Sequence, residues 1–129
     1  MKILGIGVDI VENSRIGKLL RNKLFIKRIF SNSEILIANK IKDKKSYYSK
    51  RFAAKEAFVK SIGTGFRDDF NFKDLSITNN KLGKPSFLIN KKIKKIVKKQ
   101  FKTTSVNFFL SISDEKKYSM AYVILQKKW

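Results

Sequence analysis

Two carboxylates stand in apolar surroundings on a chain that is poor in acids. Asp9 interrupts the run ILGIGVDIV at 3–11, and Glu56 lies inside RFAAKEAFVKSIGTG at 51–65. On a helical wheel Phe52, Ala53, Ala54, Ala57, Phe58, Val59 and Ile62 surround nearly the whole cylinder, so the second segment reads as a helix that belongs in a core. Glu56 and Lys60 are four apart and share a face, where Ala53 and Ala57 leave room for something beside them. Taken alone, that helix is explained by an intrahelical Glu56–Lys60 pair on a solvated side. Asp9 taken alone is explained as a polar residue on the exposed face of an edge strand. Taken together the two acids suggest a shared cation, because an uncompensated buried carboxylate is expensive. A hard Mg²⁺ is held by one or two carboxylates plus waters and substrate phosphates. Arg51, Lys60 and the Gly63-Thr64-Gly65 ending suit phosphates. Spacing alone reaches a metal-and-phosphate site and stops there.

Composition narrows the chemistry further. The 129 residues include no cysteine and no histidine, which removes disulfides, thiol nucleophiles and histidine acid–base catalysis. Zinc is disfavoured on the same grounds. Lys and Arg total 30 against 10 Asp and Glu, a net charge of +20 that favours an anionic partner. Lys, Ile, Asn and Phe share A/T-rich codons, so part of the lysine content reflects coding composition. No span reaches the roughly twenty apolar residues of a membrane helix, and the opening MKILGIGVDIVE does not read as a signal peptide. The expectation is a cytoplasmic protein with no membrane partner.

The elements that must position these residues follow from periodicity. Residues 3–11 read as a strand buried on both faces, with Gly5 and Gly7 where something approaches closely. Asn13 or Ser14 caps a first helix through Ile16, Leu19 and Leu20, and Phe25–Ile29 reads as a short helical piece. Ser31-x-x-Glu34 is a capping box, and Ser46 caps the long helix ending at Gly63. Residues 74–78 and 85–89 read as strands about the turn NNKLGK, and Lys91–Lys102 as a basic helix with Ile93, Ile96, Val97 and Phe101 on one stripe. Two further strands, VNFFLSIS and YSMAYVIL, flank the turn Asp114–Lys117. With no repeat and no linker, the reading is one domain over 1–129. Its class is α+β, a mainly antiparallel sheet with a long central helix.

GIGVDIVENSRI at 5–16, RFAAKEAFVKSIGTG at 51–65, GKP at 83–85, and LSIS at 110–113 followed by YSMAYVI at 118–124 resemble the holo-acyl-carrier-protein synthase family of 4′-phosphopantetheinyl transferases. The resemblance covers essentially the whole chain, in order. It implies transfer of 4′-phosphopantetheine from coenzyme A to a serine of acyl carrier protein, with release of adenosine 3′,5′-bisphosphate, in support of fatty acid biosynthesis. By position it implies Asp9 and Glu56 as Mg²⁺ ligands, Lys60 at the diphosphate and Arg51 near the nucleotide phosphates. Gly63, Gly65 and Pro85 then lie where the family wraps the adenine end.

The family is trimeric, with active sites between neighbouring subunits, and docks its acidic carrier protein on the first helix, here Arg15, Lys18 and Arg21. The serine proton goes either to Glu56 or to a water on the metal. Asp114 stands where the family has a histidine near the nucleotide, and Phe66-Arg67 replace a glycine-rich loop. Two competing classes are a small basic RNA-binding protein and an inactive member of the same fold. The first is disfavoured because aromatic residues are not interleaved with the basic ones as stacking platforms would be.

Overall fold

The computed structural model describes residues 2–63 and 70–128. Its elements run β1 (Lys2–Glu12), α1 (Asn13–Leu19), α2 (Lys23–Ile29), α3 (Asn32–Ala38), α4 (Lys44–Ile62), a 3-10 turn (Phe72–Asp74), β2 (Ser76–Asn79), β3 (Pro85–Leu88), α5 (Lys91–Phe101), β4 (Val106–Asp114) and β5 (Tyr118–Lys127). One antiparallel sheet has the order β1-β5-β4, and a separate antiparallel pair is β2-β3. This is the α+β architecture expected. Helix α4 packs over β1 and β5, with Ala53, Ala57 and Phe58 in a core that includes Ala121, Val123 and Leu125. A second cluster, Ile16, Phe30, Ala38, Tyr47 and Tyr48, joins the short helices to the first half of α4.

The helix ends follow local chemistry, with two corrections. The capping box of α3 forms as read, with Ser31 Oγ accepting from Glu34 N and Glu34 Oε1 accepting from Ser31 N. Gly63 closes α4 in the left-handed region at φ 84°, a conformation that favours glycine. The cap of α4 is Asp43 rather than Ser46, because the Asp43 carboxylate accepts from Ser46 N one turn in. Neither Asn13 nor Ser14 caps α1. Asn13 is inside the helix, and its amide donates to the carbonyls of Glu115 and Lys116 while its Oδ1 accepts from Ser119 Oγ. The side chain is thus committed to holding the β4–β5 turn.

Strand β1 is not buried on both faces. Gly7 and Asp9 face α4, whereas Ile6, Val8 and Ile10 are exposed on the opposite side. Their cross-strand partners Tyr122 and Met120 are exposed there too, as is Phe109 of β4. The nearly continuous apolar run of β1 therefore has a helix on one face and an exposed apolar surface on the other among the described residues.

Candidate active site

The two glycines of β1 bring the carboxylates together. A Cβ at Gly5 would fall 1.9 Å from the Ser61 carbonyl oxygen, and one at Gly7 would fall 1.9 Å from that of Ala57. Only glycine lets the helix backbone lie this close to the strand. Asp9 is two residues beyond Gly7 and so on the same face, beneath α4. Lys60 reaches down from the helix, its Nζ 3.0 Å from Asp9 Oδ1 and 3.2 Å from the Val8 carbonyl. The intrahelical Glu56–Lys60 pair is thus replaced by a helix-to-strand pair. Asp9 Oδ2 is buried and has no hydrogen-bond partner.

Glu56 is partly buried rather than deep in the core. Burial pushes its carboxyl pKa above the usual range, and the charge of Asp9 pushes it the same way, against the pull of Lys60 and Arg15. Asp9 is near enough to weaken the acidity of Glu56, and although Lys60 pairs with Asp9 Oδ1, Asp9 Oδ2 is left unsatisfied. No group of three or more Asp, Glu, His or Cys side chains forms a metal cage among the described residues. Mg²⁺ does not need one, since two carboxylates completed by water and phosphate oxygens suffice. The orphaned oxygen and the hard, anionic donor pair fit that ion.

The other expected residues divide into groups. Arg51 is buried at 6% exposure, with its guanidinium over the Tyr47 ring and Nη2 donating to Asn79 Oδ1. Its Nε has no partner. Asn79 pairs with Pro85 across the β2–β3 hairpin and donates to the Gly83 carbonyl, so Arg51 is tied to the hairpin that carries GKP. Gly63 is exposed at the far end of α4, beyond Lys60. Gly65, with the loop at 66–67, lies outside the described residues. Arg15 and Lys18 project from α1, Arg21 follows its end, and all three are exposed. Asp114 is the last residue of β4 and accepts weakly from Ser46 Oγ at 3.4 Å, while the neighbouring turn is organised by Glu115.

Sequence reasoning passed over the most deeply buried charges. Lys55, beside Glu56 in the chain, is 0% exposed and pairs with Glu34 at 2.6 Å. Its signal was present: Lys55 falls on one helical stripe with Phe58 and Ile62, so a core-facing ammonium required an acid. Asn79 carried no such signal, because one asparagine in a turn is ordinary.

The 4′-phosphopantetheinyl transferase superfamily model matches residues 5–123, and the chain belongs to that superfamily. A holo-[acyl-carrier-protein] synthase of Pelagibacter ubique is 75% identical over 128 residues, covering 99% of this chain and 100% of that protein. The crystal structure of holo-[acyl-carrier-protein] synthase from Neisseria meningitidis superposes with a TM-score of 0.87 at 36% identity, covering 98% of this chain and 100% of that one. The Bacillus anthracis synthase, solved in complex with CoA (3′,5′-ADP), gives 0.81 at 34% identity and 98% of both chains. Within the superfamily, the activity of this chain is holo-acyl-carrier-protein synthesis: transfer of phosphopantetheine from coenzyme A to apo-acyl carrier protein.

Proposed function

We propose that this transfer is Mg²⁺-dependent, is carried by one domain spanning 1–129, and is centred on Asp9, Glu56 and Lys60. The observation that carries the reading is the Asp9–Glu56 pair, with a buried Asp9 oxygen that no protein group satisfies. Asp9 and Glu56 would hold the ion, which when bound supplies positive charge to the coenzyme A pyrophosphate. Lys60, whose side chain is 54% exposed, is a second cation able to turn from Asp9 to a phosphate oxygen. A serine hydroxyl of the carrier protein attacks the phosphorus bearing the pantetheine arm, and adenosine 3′,5′-bisphosphate leaves. With no histidine in the chain, the Glu56 carboxylate is the protein group at hand to accept the serine proton.

Arg51 is assigned to the nucleotide phosphates of coenzyme A and Gly63, Gly65 and Pro85 to its adenine end, supported by the unpartnered Arg51 Nε and the tie from Arg51 to the GKP hairpin. Arg15, Lys18 and Arg21, an exposed basic edge next to the site, are assigned to the acidic carrier protein. The functional unit is a homotrimer. Supporting it, Ile6, Val8, Ile10, Phe109, Met120 and Tyr122 are 40–62% exposed on one sheet face, an apolar patch of the kind that marks an interface. Full activity in a chain that sediments as a monomer would overturn that assignment. No helix among the described residues is long and apolar enough to cross a membrane. Use of coenzyme A as substrate supports a cytoplasmic location.

The test is label transfer from coenzyme A to apo-carrier protein by wild type, Asp9→Asn and Glu56→Gln, with and without Mg²⁺. Each variant is expected to lose about 10²–10³-fold in kcat. Mg²⁺ is expected to raise the melting temperature of wild type and of neither variant. Near-normal turnover in either variant at saturating Mg²⁺ removes the assignment.

A further inference from the structure

The buried Glu34–Lys55 pair plays no part in the chemistry above, yet it joins more of the molecule than any other polar contact described. Lys55 Nζ donates to Glu34 Oε1 at 2.6 Å and to the carbonyls of Ile29 and Phe72, each at 2.9 Å. Glu34 in turn accepts from Ser31 N through Oε1 at 2.9 Å and from Ile77 N through Oε2 at 3.0 Å. One ion pair therefore links the end of α2, the start of α3, the middle of α4, the 3-10 turn and β2. Arg51 is one turn earlier on α4 and donates to Asn79, whose amide donates to the Gly83 carbonyl at 2.8 Å. Strand β2 is thus pinned to the α3–α4 framework at Ile77 and Asn79 by two polar rungs.

An ion pair at 0% and 1% exposure is a poor device for stability alone, because packed apolar side chains of similar volume often do as well or better. What it adds is register. Hydrogen bonds to a particular N–H and particular carbonyls fix spacing and direction, whereas apolar contacts tolerate sliding. The β2–β3 pair and the β1–β5–β4 sheet form separate ladders around one shared core, to which Ile77, Phe87, the Ala53–Ala57–Phe58 face of α4 and Val106 all contribute. Strand β3 also packs directly on β4, so the hairpin is seated by that apolar contact, while the polar rungs to α3 and α4 fix its register.

We propose that Glu34, Lys55 and Asn79 are positioning residues: they hold the β2–β3 hairpin, and with it the Gly83–Pro85 edge, in the register on α3 and α4 at which it receives the adenine end of coenzyme A. This rests on the assignment of the hairpin edge to the adenine end. Glu34 and Lys55 are too buried to touch the nucleotide, so they act only through the hairpin they hold.

The experiment uses two variants that disturb different rungs. In Glu34→Gln/Lys55→Met the amide can still accept from Ser31 N but presents a donor towards Ile77 N, and the methionine fills the volume of the lysine stem. Asn79→Ala removes the other rung at an exposed residue and leaves the core untouched. Both are expected to raise KM for coenzyme A and the inhibition constant of adenosine 3′,5′-bisphosphate together, by about tenfold. Meanwhile kcat and KM for carrier protein stay within about twofold of wild type. Equal loss for both substrates, or a fall in kcat at constant KM, would show a merely structural role and overturn the proposal. Pro85→Tyr, which adds bulk to the hairpin edge itself, separates the two failures. If Pro85→Tyr raises both constants while the rung variants do not, positioning is wrong and the adenine-end assignment stands. If Pro85→Tyr changes neither constant, the assignment falls and the positioning role with it.

Discussion

Lys55 and Glu56 follow one another on α4, and each carries a charge into a stretch of helix that is otherwise mostly apolar. Around Lys55 every donor is used: one acid and two carbonyls take its three protons, and the acid is itself held by two backbone N–H groups. Around Glu56 the arrangement is unfinished. Its nearest carboxylate repels it, its own acidity is weakened, and one oxygen of Asp9 has nothing to bind. The difference separates a structural charge from a functional one. A fully satisfied pair has nothing left to offer a ligand, whereas an unsatisfied pair has free energy to gain from a cation. One turn of helix can serve both purposes because its two neighbours point about 100° apart.

Breaking the closed pair tests this contrast most severely. Lys55→Met by itself leaves Glu34 charged in the core and is expected to cost about 3–5 kcal/mol in a denaturant melt. Adding Glu34→Gln should recover only the part due to the buried charge, because the amide then faces Ile77 N with a donor and the Ile29 and Phe72 carbonyls stay unpaired. A cost near zero for the single variant would mean that Glu34 reaches solvent and that the site is not closed.

On the open side a smaller effect is expected from Arg15→Glu. If the exposed guanidinium guides an acidic partner as proposed, the variant should weaken carrier-protein use several-fold at low salt, with the gap narrowing as salt rises, and change KM for coenzyme A little. Because the charge of Arg15 also reaches Glu56, equal losses for both substrates would move it from docking into the metal site.

The smallest effect sharpens the comparison in the opposite direction. In metal-free protein, Glu56→Gln removes a carboxylate that the fold disfavours, so it should raise the melting temperature by a few degrees at neutral pH. The sign follows from the raised pKa. Below the ordinary carboxylate range Glu56 is protonated in both the folded and unfolded states, and the variant gains nothing. As pH rises from the ordinary carboxylate range to the raised folded pKa, wild type loses stability that the variant keeps, and the gap is complete above the folded pKa. A lower melting temperature at neutral pH would show that Glu56 is satisfied by groups other than an incoming cation.

Much of the fold was legible along the chain because its signals are local. The capping box at Ser31–Glu34, the Gly63 stop, the hairpin turn before Pro85 and the stripe of α5 each depend on residues within a turn or two of one another. Legible too were the two glycines of β1, since nothing but close approach explains a pair of them in a strand. What approached them was not legible. The caps of α1 and α4 were misplaced because Asn13 was claimed by a turn about a hundred residues away, and Asp43 was available one turn before Ser46.

By itself the sequence determined the element types, the α+β class and two acids out of place, together with motifs long enough to mark a family. Tertiary structure decided which partner each charge received: Lys60 goes to Asp9 rather than to Glu56, Lys55 to Glu34, and Arg51 to Asn79. It also decided that β1 buries one face and leaves the other uncovered. The reason is physical. Secondary structure depends on side-chain spacing within a few residues, whereas ion pairing and burial depend on distances through space. In this chain the partners stand 21 to 51 residues apart, and the most distant pair, Lys60 and Asp9, meets where glycine lets a helix settle onto a strand.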